Sequence, residues 1–216
     1  MAEQSGSVLW IAGASGLVGG FALDLASSDP AFAKVVSFGR RPSGKSGDKL
    51  IEKSVDFAAF DAGDVPAPTV AVCALGTTIK KAGSKEAFRA VDHDAVLAFA
   101  KAAKERGAKG FVLVSALGAD PKSMVFYNRV KGEVESALRA MEWGSLVIAQ
   151  PSLLLGDRAE SRPGERFAIV MSRAMGPLLK PFSGRPIEAS DVAKAVIAAA
   201  KELPSGVKVL PSGAMH

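Results

Sequence analysis

Tyr127 is the only tyrosine among 216 residues, and Lys131 follows it four positions later. On a helix that spacing brings both side chains onto one face. An ammonium beside a phenol favours the phenolate and lowers the tyrosine pKa, which suits the pair to exchange a proton with a substrate. Ser115, at the end of the apolar run 110–115, adds a hydroxyl able to orient a carbonyl oxygen. Ser115, Tyr127 and Lys131 are therefore the candidate catalytic set. A second chemical feature lies near the N-terminus, where the apolar run 8–12 stops at Gly13 and glycines recur at Gly16 and Gly19. This reads as a buried strand, a tight turn and an amphipathic helix that together make a phosphate site. Gly13 permits the turn, Gly16 lets backbone approach a pyrophosphate, and Gly19 lets the helix pack closely. Ser15, Leu17 and Val18 share the turn and the helix start and join the cofactor-binding set. Leu17, Phe21 and Leu25 recur at four-residue spacing and predict the buried helix face.

Other elements must bring these groups together. A second strand, 34–38, ends in Gly39-Arg40-Arg41. An NAD site usually has an acidic residue here for the ribose 2′-hydroxyl; Arg40 and Arg41 suit the 2′-phosphate of NADP instead. A third strand, 50–55, ends at Asp56-Phe57, where a carboxylate can accept from an adenine amino group. The fourth, 69–75, ends in Leu75-Gly76-Thr77, a small turn that lets backbone lie against a cofactor. Ser84 is positioned to cap a helix running towards residue 107, with Phe88, Val91, Ala95, Phe99 and Ala102 inward. Asp92 and His93 fall inside it; either can face the site, with His93 read first as an ordinary helix residue. A fifth strand, 110–115, precedes the helix of Tyr127 and Lys131, and a sixth, 146–150, precedes Pro151.

In the polar segment 156–166, Arg158, Arg162 and Arg166 recur every four residues among Asp157, Glu160 and Glu165. They read as an internal ion-pair network, with an anion-binding rim as the alternative. A helix from about Phe167, a loop through Pro181 and Pro186, a helix over 190–201 and a strand over 207–210 follow. Strands alternating with helices predict a doubly wound, mostly parallel α/β sheet. Residues 1–216 form one domain in this reading, with 151–190 a small substrate-side region.

Composition narrows the function classes. With 48% hydrophobic and 23% charged residues, the chain suits one soluble domain. No apolar run approaches the roughly 18 residues of a membrane span. Cys73 stands alone, which excludes an internal disulfide, and the two histidines, His93 and His216, give no convincing metal site. The net charge of +5 comes without a basic run interleaved with aromatics, so nucleic acid is not expected; a phosphate-bearing ligand accounts for it. The polar start MAEQSGSV carries no signal-peptide core, and a cytoplasmic location is expected.

Taken together, these residues resemble the short-chain dehydrogenase/reductase superfamily, through GxxGxxG at Gly13, Gly16 and Gly19 and YxxxK at Tyr127 and Lys131. Within it the chain is similar to the small atypical branch that includes the Tat-interacting oxidoreductase-like proteins. GASGLVGG, CALGTT, AGSKEAFRAVD, LVSALGA, YNRVKGEVE, QPSLLLGDRAESRPGE and IEASDVAKA carry the likeness over nearly the whole chain. The resemblance implies a Rossmann fold that binds NADP(H), with NAD(H) the less favoured alternative. It also implies Tyr127 as acid/base, Lys131 as the residue that holds the nicotinamide ribose and tunes Tyr127, and Ser115 as the group that polarises substrate. Pro151, Ser152, Leu153 and Leu154 would lie against the nicotinamide.

Two departures qualify it. Many short-chain reductases supply an asparagine near the position of Asp92, so an asparagine relay is not implied here. The stretch after the sixth strand is too short for the substrate domain of the sugar-nucleotide epimerases. The expected function is NADPH-dependent reduction of a small carbonyl compound. The alternative is a dinucleotide-dependent regulator with little or no turnover; a homodimer or a protein partner is left open.

Overall fold

The computed structural model describes residues 6–156 and 185–216. Its strands are β1 (Ser7–Ala12), β2 (Phe32–Gly39), β3 (Leu50–Ser54), β4 (Val70–Cys73), β5 (Gly110–Val114) and β6 (Ser145–Gln150), then β7 (Leu154–Leu155), β8 (Ile187–Glu188) and β9 (Gly206–Pro211). The helices are α1 (Leu17–Ser28), α2 (Ile79–Ala82), α3 (Lys85–Arg89), α4 (Ala95–Glu105), α5 (Phe126–Ala140) and α6 (Ala189–Glu202). Seven strands form one parallel sheet in the order β3-β2-β1-β4-β5-β6-β9. The order reverses between β1 and β4, which opens a crevice beyond the strand C-termini where such sheets bind ligands.

The central strands read as unbroken apolar runs because both faces of the sheet are covered. Leu9, Ile11, Val70, Val72, Val112 and Val147 face one layer, built by α1 and α6. Trp10, Ala12, Ala71, Cys73, Phe111 and Leu113 face the other, built by α4, α5 and a short 3-10 turn (Phe57–Ala59). The second layer is aromatic: Phe99 lies within 6.4 Å, ring to ring, of Trp10, Phe38, Phe60 and Phe111. Among the described residues no helix is long and apolar enough to cross a membrane.

Three expectations change. Phe21 is 40% exposed, and the buried row of α1 is Val18, Gly19, Ala22, Leu23 and Ala26, because close packing on the strand calls for small residues. The helix from Ser84 is capped as expected, its hydroxyl accepting from the Ala87 amide. It then breaks into α3, a π-helical turn (Ala90–Asp94) and α4. The wide turn carries Asp92 inward and leaves Val91 and Ala102 half-buried. Strands β7 and β8 pair in a small second sheet that the sequence pattern does not announce. The Arg158, Arg162 and Arg166 segment and the helix from Phe167 lie outside the described residues.

Candidate active site

The glycine turn is a place of backbone contact. Gly13 has φ +93, and a Cβ there would come within 2.5 Å of the Ala74 carbonyl. At Gly19 a Cβ would stand 2.2 Å from the Gly13 oxygen. The end of β1, the end of β4 and the start of α1 thus meet at distances only glycine allows. Gly16 occupies the N-cap in extended conformation, no side chain caps α1, and its first turn holds no acid. The leading amides of a three-turn helix are therefore available to an anion. Ser15 is exposed on this turn and Leu17 half-buried, while Val18 points into the core. Gly156, with φ +145, lies against the Leu17 side chain, so the strap after β6 crosses the start of α1.

Along the crevice, Arg40 and Arg41 are exposed at the end of β2. Nearby Lys45 is paired with Asp24 at 2.6 Å. Asp56 is exposed and caps the 3-10 turn, accepting from the Ala58 amide. Phe57 is buried and stacks on Phe60 at 5.6 Å; its ring belongs to the core, and only its backbone can face a ligand. Leu75 is half-buried and Gly76 exposed at the end of β4.

Asp92 is the organising group. It is 1% exposed, and its Oδ2 accepts from the Thr77 amide at 2.8 Å. Its Oδ1 lies 2.8 Å from Lys131 Nζ, itself on a residue only 5% exposed. That contact is a short, buried ion pair. A π turn is a common way for a helix to aim a side chain at a functional site, and here it aims a carboxylate at α5. A Cβ on Gly76 would sit 3.5 Å from Asp92 Oδ1 and 3.8 Å from Lys131 Nζ, so a ligand lying on this exposed backbone comes close to the ion pair.

Tyr127, half-buried, lies one turn before Lys131 and packs its ring on Phe88 at 5.5 Å. Burial pushes its phenol above its ordinary value, the Lys131 ammonium pulls it down, and the Asp92 carboxylate pushes it up again. The expected lowering is corrected: desolvation outweighs an ammonium whose charge Asp92 already answers. Burial by itself would weaken protonation of Lys131, but the charges around it, Asp92 foremost, hold its pKa well above the usual lysine value.

Ser115 departs from expectation. It is 6% exposed, and its hydroxyl donates to Glu135 Oε1 at 2.5 Å. Gln150 donates to both oxygens of the same carboxylate at 3.0 Å. Ser115 thus fastens α5 to the ends of β5 and β6, and no hydrogen bond links it to Tyr127 or Lys131 among the described residues. Glu135 carries a signal in the sequence: it stands four residues past Lys131, on the face that also carries Tyr127. Pro151 and Ser152 are buried. The Pro151 carbonyl accepts from the Leu117 amide at 2.9 Å, and Ser152 donates to the Arg185 carbonyl at 2.6 Å and accepts from Ser212. Leu153 and Leu154 continue into the β7–β8 pair. His93 sits beside Asp94 at 2.7 Å, outside this cluster.

Cys73 is fully buried next to the ion pair, and desolvation pushes its thiol up to about 12. Thiolate is the reactive form, so labelling of the folded protein by a thiol reagent at neutral pH should run about 10³-fold slower than that of a free cysteine. Full reactivity should return in denaturant. Rapid labelling of the native chain would show that this region opens.

A parallel sheet reversing at β1/β4, a glycine turn feeding a helix N-terminus, and a tyrosine–lysine pair one helical turn apart define a short-chain dehydrogenase/reductase type of protein. No protein-family model matches the chain. The fmp52 protein of Emericella nidulans is 35% identical over 188 residues, covering 83% of this chain and 81% of that protein. Protein HTATIP2 of Rattus norvegicus is 39% identical over 165 residues, covering 74% and 68%. The chain belongs to this family, in the atypical branch of the short-chain dehydrogenase/reductase superfamily. Among solved structures, MoeE5 in complex with UDP-glucose and NAD superposes with a TM-score of 0.72 at 19% identity, over 95% of this chain and 75% of that one. A short chain dehydrogenase from Burkholderia cenocepacia in complex with NADP gives 0.66 at 17% identity, over 99% and 91%. These two likenesses show the fold.

The cytoplasmic expectation does not stand: fmp52 and its fungal counterparts are named mitochondrial proteins. The lack of a secretory signal core does not distinguish the cytosol from an organelle.

Proposed function

We propose that the chain binds NADP(H) across the β1/β4 crevice and reduces a small carbonyl compound, with Tyr127 as proton donor, in a mitochondrial setting like that named for its relatives. The observation that carries this reading is the placement of Tyr127 one helical turn before ion-paired Lys131 on α5, with the Lys131 ammonium beside the exposed Gly76 backbone. A dinucleotide fits the residues present. The uncapped start of α1 takes the pyrophosphate, Arg40 and Arg41 the 2′-phosphate, the Asp56 edge the adenine, and Lys131 the nicotinamide ribose.

The reduced dinucleotide, when bound, supplies a hydride to the carbonyl carbon. As that bond forms, the carbonyl π pair moves onto oxygen and takes the Tyr127 phenolic proton, leaving an alcohol and a phenolate that recovers its proton from solvent. Ser115 acts indirectly, by fastening α5 to the strand ends.

Fluorescence titration with NADPH and NADH tests the cofactor. Charge-assisted hydrogen bonds contribute about 1.5–3 kcal/mol, so NADPH should bind on the order of tenfold to a hundredfold tighter. Arg40→Ala and Arg41→Ala should erode that preference and leave NADH affinity near parental. Equal affinities in the parent would mean that the site does not read the 2′-phosphate. A panel of aldehydes, ketones and quinones with the preferred cofactor then tests turnover.

A further inference from the structure

We propose that Asp92 is a positioning residue, holding the Lys131 ammonium against the Gly76–Thr77 turn and so leaving Tyr127 to act as a proton donor, which poises the site for reduction. This rests on the carbonyl-reduction reading above and names its direction. Asp92 is buried, reaches α5 from a π turn, and bridges two things a reductase site must hold: the β4 turn, through the Thr77 amide at 2.8 Å, and Lys131, at 2.8 Å. Lys131 is buried as well, so its charge acts with little screening. Where the nearest anion is Asp92, that charge is spent on a fixed carboxylate. Without it, the same ammonium would draw a proton off the neighbouring phenol.

Among the described residues the charges that act on the phenol are those of Lys131 and Asp92. The ring it packs on, Phe88 from α3, is apolar, and Cys73 from β4, beside the ion pair, is a neutral thiol at physiological pH. A phenol kept protonated can give its proton to the far more basic alkoxide that forms during reduction. Withdrawal of a proton from an alcohol needs the phenolate instead. Equilibrium belongs to the substrates; Asp92 biases the protonation state from which the site starts.

Because Tyr127 is the sole tyrosine, phenolate absorbance in the near ultraviolet titrates this one group in the free protein, with no substrate. The parent should titrate above the ordinary tyrosine range. Asp92→Asn, which keeps the shape and removes the charge, should titrate at lower pH than the parent while circular dichroism stays native. The alkaline limb of its reductase pH profile should move down with it, and turnover at neutral pH should fall about tenfold or more as the ribose-holding ammonium loses its anchor. A titration unmoved or raised by Asp92→Asn overturns the proposal.

Should Asp92→Asn fail to fold, Asp92→Ser removes the same charge with a smaller polar side chain; it should titrate below the parent, and an unmoved or raised midpoint overturns the proposal. The outcomes separate the two readings. A shifted titration in a protein that reduces nothing across the panel removes carbonyl reduction and keeps the role of Asp92 in holding Lys131. An unshifted titration in an active reductase does the reverse.

Discussion

Tyr127→Phe should lower carbonyl-reductase turnover by about 10²–10⁴-fold, the usual contribution of a positioned acid or base, and leave fold and dinucleotide affinity close to parental. The ring keeps its contact with Phe88 at 5.5 Å. No hydrogen bond of the hydroxyl to another described residue is lost, and the desolvated phenol is replaced by an apolar edge. Only the proposed proton donor disappears. Parallel measurements of NADPH oxidation, NADPH binding and circular dichroism check each part. A variant that keeps the parental rate would show that water, not Tyr127, supplies the proton. A variant that loses cofactor affinity along with rate would make the hydroxyl a binding group first.

Gly13→Ala is the second large effect, and it falls on stability. A non-glycine residue at positive φ costs about 1–3 kcal/mol. At Gly13 the new methyl also meets the Ala74 carbonyl at 2.5 Å, and forced overpacking adds about 1–3 kcal/mol. Gly44→Ala isolates the first contribution, since Gly44 has φ +79 with no atom within 4 Å of its Cβ position. Urea midpoints should therefore drop further for Gly13→Ala than for Gly44→Ala, and only the former should also lose the dinucleotide. Equal drops would mean that the turn relaxes around a methyl group without cost.

The glycine turn was legible because each glycine answers a local demand. Gly13 and Gly19 meet backbone across a distance that no side chain fits, and such demands leave their mark in residue type. The strand runs were legible for a similar reason, a sheet covered on both faces needing continuous apolar sequence. Asp92 was legible as a residue that could face the site, and its contact with Lys131 was not, because the π turn that brings it inward has no periodicity of its own. Ser115 shows another limit. A strand end fixes where a residue sits, whereas the group its hydroxyl meets, here Glu135, is set by a buried carboxylate's need for donors. The phenol of Tyr127 showed the limit of pairwise reasoning: the lysine was there as expected, and burial together with a third group decided the sign.

The packing of α6 against α1 also has a consequence for how the chain is made. Val18, Ala22 and Ala26 from the start of the chain share one core with Val192, Ala193 and Val196 near its end. Ribosomes add about 5–20 residues per second, so the apolar side of the first helix is without its native cover for on the order of ten to thirty seconds of synthesis. The last strand is just as late, because β9 pairs with β6 only after residue 206 has left the ribosome. A nascent chain stalled before residue 189 should thus expose the α1 stripe to holding chaperones, and release of the final helix and strand should end that association.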